Sequence, residues 1–245
     1  VSALLTLLLP LGCYRAAREL GRARGEAAMA ALIAGSSLLV VQYAHTERPW
    51  APLVGWFALT LAASLRLRRR QRWRDAALAA ICAGLCTATH PAGAMAFGLP
   101  ALAALAWRPR LHVVIGGALA GLLVALLLGY PYLLVYGQDT GKGAIAGQLE
   151  AVEAEEIGGQ AFDLGRFHGQ LLASVGRSWI GYDPVLVLLG GVGLVVLLRS
   201  SARGRGLRLV LIPPALIVAV FLLYDGSHVR YLLPATPFLA LGAAR

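Results

Sequence analysis

The 32 residues from Ala76 to Trp107 contain no Asp, Glu, Lys or Arg. As one α-helix they would run ~48 Å, well past the ~30 Å hydrocarbon core of a bilayer. The chain must therefore break inside this run. His90-Pro91 supplies the place, because proline lacks an N–H and disfavours helix in the residue before it. Two passes are expected, about residues 76–89 and 92–107. Composition carries the same constraint through the whole chain. Of 245 residues 58% are hydrophobic and 14% charged, and the mean hydropathy is +0.70. The expected fold class is all-α, a polytopic integral membrane helical bundle of about 8–9 segments, with one extracytoplasmic polar segment.

Further spans are expected at about 27–43, 50–65, 112–136, 184–198 and 209–224, the last kinked by Pro213-Pro214. The terminal runs, 1–14 and 231–244, reach only ~21 Å as helices and are expected to be cut inside a span. The unit is read as one transmembrane domain fragment over 1–245, with 137–182 as an extracytoplasmic loop carrying amphipathic helices. Leu164, Phe167, Leu171, Val175 and Trp179 form one stripe there, suited to the membrane interface or to docking on the bundle. Gly117 and Gly121 have the GxxxG spacing of closely approaching helices. Cys13, Cys82 and Cys86 lie in apolar runs and suggest neither disulfides nor a thiolate metal site. Gly190-Gly191-Val192-Gly193 sits in an apolar run with no strand before it, so it is no nucleotide loop.

A net charge of +10 would hint at nucleic acid in a soluble chain, but here its distribution matters more. Placing alternate connections on one side puts 17 of the 22 Lys and Arg there: four at 15–24, six at 66–74, two at 108–110, four at 199–208, and Arg245. The positive-inside rule makes that side cytoplasmic. The other side receives nine of the twelve acidic residues. The expected location is the cytoplasmic (inner) membrane with the active face extracytoplasmic. His45, Glu47, His90, His228, Arg230 and Tyr231 share that face.

Ionisable groups gathered at a membrane boundary point to function, although each alone is equally well a solvated loop residue. His45 and Glu47 are two apart and could share a hard cation, Mg²⁺ or Mn²⁺. Arg230 can fork two N–H donors onto a phosphate. Tyr231 reads as a site residue or as a belt aromatic, the role given to Trp50, Tyr130, Tyr132, Tyr136 and Tyr182. His90 reads as a ligand or as a polar residue at a helix break.

The order of motifs resembles a family. A basic turn at 21–25 precedes Tyr43-Ala44-His45-Thr46-Glu47-Arg48-Pro49. The segment 84–93, Gly-Leu-Cys-Thr-Ala-Thr-His-Pro-Ala-Gly, follows, and Arg230-Tyr231-Leu232-Leu233-Pro234-Ala235-Thr236-Pro237-Phe238 closes the series. This resembles the GT-C superfamily of membrane glycosyltransferases, in its bacterial branch of protein mannosyltransferase and aminoarabinose transferase-like enzymes. The resemblance implies transfer of a sugar from a polyprenyl-phosphate donor to an extracytoplasmic lipid, glycan or protein. It gives Glu47 a supporting acidic role, with Glu for the commoner Asp. It sets His90 where the family often has Lys, and Arg230 beside the lipid-linked phosphate. The family's catalytic base lies in a loop preceding everything present, so this piece is expected to be inactive alone. The implied partners are the donor and the lipid bilayer, with no nucleic acid; nothing specifies the oligomer.

Two other classes fit the same residues. A transporter or flippase of a lipid-linked or anionic substrate also uses broken helices at a polar site. A non-catalytic scaffold would use the polar face for a partner.

Overall fold

A computed structural model of the chain describes residues 2–45, 49–107, 111–139, 156–157, 160–161, 172–200, 208–223 and 229–244. The first half holds α1 (Ser2–Thr6), α2 (Leu8–Glu19), α3 (Arg24–Gly35), α4 (Leu38–His45), α5 (Trp50–Arg70) and α6 (Trp73–Thr89). A 3-10 helix (Pro91–Phe97) leads into α7 (Gly98–Trp107) and α8 (Leu111–Asp139). Two-residue strands β1 (Glu156–Ile157) and β2 (Gln160–Ala161) pair antiparallel. Then come α9 (Leu172–Tyr182), α10 (Pro184–Ser200), α11 (Arg208–Leu223), a second 3-10 helix (Val229–Ala235) and α12 (Thr236–Ala243).

The axis of the fold is α5. Nearly every side chain from Trp50 to Leu67 is buried, under α2 on one side and α6 and α7 on others. Small residues let these helices close. A Cβ on Gly12 would fall 2.7 Å from the backbone carbon of Ala58. The helix ends at Gln71, in the left-handed region at φ 55°, whose N–H bonds to the Leu67 carbonyl at 2.7 Å. The turn into α6 is pinned by an ion pair, Arg66 Nε to the buried Asp75 at 2.7 Å, and Arg69 Nε ties α5 to Glu19 at the end of α2 at 3.1 Å.

The expected count of 8–9 membrane segments is overturned. Among the described residues one helix, Trp50–Arg70, is long and apolar enough to cross a membrane, or up to three if each bent pair is one span. The chain is helical as expected, but many of its apolar runs are divided. The 27–43 run is α3 and α4, bent by 52° at Ser36-Ser37. The break at His90-Pro91 falls where proline chemistry puts it, leaving helices of 17 and 10 residues around a 3-10 turn. Neither reaches the ~20 residues a span needs. Hydropathy counts apolar residues and is blind to the serine, histidine and proline breaks that shorten their helices.

Other expectations hold. On α8, a Cβ at Gly121 would fall 2.6 Å from the Ala80 carbonyl of α6, so the GxxxG residue does sit at a close crossing. Gly121→Val is expected to pry α6 from α8 and cost ~1–3 kcal/mol, read as a lower thermal midpoint in detergent. Gly116→Val, facing open space on the same helix, should show no loss. Val175 and Trp179 bury their stripe against the core, so α9 docks on the bundle. Leu164, Phe167 and Leu171 lie outside the described residues. Separately from those expectations, the Pro213-Pro214 pair lies inside α11, whose helix runs through it from Arg208 to Leu223. The glycines at 190 and 193 pack against Leu239 and Gly242 of α12, a helix seam rather than a loop.

The two bent pairs meet at their bends. Asp183, 6% exposed, sits between α9 and α10, which turn by 106°. Its carboxylate accepts from Ser37 Oγ at 2.7 Å, from the Leu38 N–H at 2.7 Å and from the Leu39 N–H at 3.4 Å. Those are orphan donors at the start of α4, capped from 145 residues away.

Candidate functional site

Three distant stretches converge on one indole. Trp50, the first residue of α5, is 4% exposed. Its ring lies 4.5 Å from the His90 imidazole, tilted by 41°, and 5.1 Å from the Tyr231 ring, edge-on at 81°. The Arg230 guanidinium carbon stands 6.0 Å from the Trp50 centroid and 5.3 Å from that of Tyr231, both within cation–π reach. Arg230 Nε is buried and has no hydrogen-bond partner among the described residues. The arrangement is a cation cushioned on aromatic faces, which supply no acceptor for its N–H fork. Such a group can take a planar or tetrahedral oxyanion.

His90 is held by the break it creates. It caps the 3-10 helix, its Nδ1 accepting the Ala92 N–H at 3.1 Å, while its backbone N–H donates to the Cys86 carbonyl at 3.2 Å. An acceptor Nδ1 assigns the neutral ring's proton to Nε2. Burial, with the Arg230 charge as second cause, lowers the His90 pKa from its ordinary 6.5. His90 is therefore a neutral donor rather than a stand-in for a lysine charge. The unfolded chain binds this proton more readily, so stability should fall as pH drops from ~6.5 through the folded pKa, and be flat above. Thermal midpoints measured from pH 7.5 to 5 should show that fall, and His90→Asn should reduce it.

Of the residues read from sequence, His90, Arg230 and Tyr231 are brought together. His45 ends α4 and is exposed, and none of the cluster's ring or cation contacts among the described residues includes it. Glu47 and His228 lie outside the described residues. No group of three or more His, Cys, Asp or Glu among the described residues is placed to hold a metal ion.

Sequence reasoning placed Trp50 with the belt aromatics and missed Asp183. For Trp50 the available signal was its place as the first residue after Pro49 in a helix without a polar face. For Asp183 it was the Asp-Pro step, which marks a helix start. Nothing local announced that its carboxylate caps the distant α4.

A family model described as dolichyl-phosphate-mannose-protein mannosyltransferase matches residues 1–134. The match takes in Trp50 and His90 and stops before Arg230. No curated protein and no solved structure matches the chain. With more than half of its 245 residues covered, the chain belongs to the dolichyl-phosphate-mannose-protein mannosyltransferase family.

Proposed function

We propose that the protein is a membrane glycosyltransferase of the cytoplasmic membrane, moving a sugar from a polyprenyl-phosphate donor to an extracytoplasmic acceptor. The observation that carries this is Arg230, a cation held on Trp50 and Tyr231 with a buried Nε that has no described partner. The acceptor hydroxyl attacks the anomeric carbon and gives its proton to a carboxylate acting as base. The bond from that carbon to the phosphate oxygen breaks, and the phosphate leaves with the electron pair. Arg230 stabilises the charge it carries away. His90, neutral at pH 7, can donate from Nε2 to the same phosphate or to the sugar.

The placement of α5 supports this reading. Its first residue belongs to the cluster and its last turn holds Arg68, Arg69 and Arg70. At 1.5 Å per residue the two ends are ~30 Å apart, one hydrocarbon thickness. With the arginines cytoplasmic, the cluster faces the other side. The full-length parent, purified in detergent and given a polyprenyl-phosphate sugar, should lose transfer in Glu47→Ala and in Arg230→Ala; wild-type transfer by both would remove this assignment. Loss of transfer on chelation would identify a Mg²⁺ or Mn²⁺ requirement, with His45 and Glu47 as the proposed ligands.

One observation favours a transporter as the second reading: two bent helix pairs are joined at their bends through Asp183. Proteoliposomes that move a lipid phosphate across the bilayer without transferring sugar would decide for it.

A further inference from the structure

We propose that Trp50 is the positioning residue of the phosphate site, its buried indole fixing the Arg230 guanidinium so that an isoprenyl phosphate meets donors already oriented. The proposal rests on the reading of Arg230 as the phosphate ligand. A belt aromatic keeps its ring at the lipid surface. Trp50 is instead 4% exposed, and three groups of the site contact that one ring. His90 approaches at 4.5 Å, Tyr231 at 5.1 Å and Arg230 at 6.0 Å. No other described side chain is shared among them in this way.

An arginine carries large rotamer freedom, and ordering it on ligand binding weakens affinity. Here Tyr231 at 5.3 Å and Trp50 supply two aromatic contacts for the guanidinium. Its freedom is spent in folding, before any ligand arrives. Ring faces attract the cation but accept none of its fork, and the buried Nε has no hydrogen-bond partner among the described residues. The Ala92 N–H on Nδ1 anchors the imidazole at the break, and α5 holds the indole from below as its first residue. Trp50 thus sets the position of the cation without touching the reacting atoms.

The test measures binding of radiolabelled farnesyl phosphate and of farnesol to the detergent-solubilised protein. Trp50→Leu should weaken farnesyl phosphate ~10-fold and leave farnesol unchanged, while Trp50→Phe should stay within ~3-fold of wild type on both. A merely structural role would weaken both ligands together. That outcome, or wild-type farnesyl phosphate binding in Trp50→Leu, overturns the proposal. Should Trp50→Leu fail to fold, Trp50→Met takes its place against Trp50→Phe, and equal phosphate preference in those two is the overturning result. Arg230→Ala separates the two claims. If it keeps the preference for phosphate, the reading of Arg230 fails. If it loses that preference while Trp50→Leu keeps it, only the role of Trp50 fails.

Discussion

Asp183→Ala is expected to destabilise the protein by ~3–5 kcal/mol. The carboxylate is buried and takes three hydrogen bonds, two of them at 2.7 Å. Losing a helix N-cap alone costs ~1–2 kcal/mol. Alanine would also leave the buried Ser37 hydroxyl without its acceptor, at ~1–3 kcal/mol, and the part-buried Leu38 N–H at less, because water can reach it. These terms overlap, so the estimate stays below their sum. Ser37→Ala should cost less, ~1 kcal/mol, because the carboxylate keeps the backbone N–H groups. Thermal or denaturant unfolding in one detergent, with the double variant completing the cycle, measures the coupling. Unfolding of Asp183→Ala at the wild-type midpoint would show that the link between the two bends carries nothing.

In the full-length parent, Arg230→Ala is expected to slow sugar transfer by ~10²–10³-fold, the usual cost of removing one donor to charge that develops in the transition state. Arg230→Lys keeps a charge but loses the fork and the flat face that lies against Trp50 and Tyr231, so it should recover only part of the loss. The effect should fall on kcat more than on KM, because phosphate charge grows as the sugar leaves. Arg177→Ala, exposed on α9, is the matched loss of charge and should be silent. A loss confined to KM would make Arg230 a ground-state ligand instead.

Much of this could be read from the chain, and the rest failed for definable reasons. His90-Pro91 announced its break because proline acts locally on the residue beside it. The GxxxG spacing announced a close crossing because small residues have few other uses at that interval. The number of spans was misread because Ser36-Ser37 bends a helix only with a long-range acceptor, and Asp183 lies 146 positions from Ser37. The same limit applies to the site. Arg230 and His90 were legible as polar residues on one face, whereas their common contact is an aromatic buried among residues distant in the chain. Tryptophan after a polar loop looks the same whether it faces lipid or core.

The stretch from Tyr231 to Gly242 is buried along its whole length. It packs against α2, α3, α5 and α10, nearly all of which precede it by a wide margin in the chain. A ribosome therefore delivers the seat long before the part that fills it. Until α12 emerges, the surfaces of α2 and α3 against which it packs remain uncovered, and Arg230 has not yet reached Trp50. Assembly of the Trp50 cluster then waits until the residues of α12 have been made, and a chain stopped short of residue 230 would present a half-built bundle to the insertion machinery.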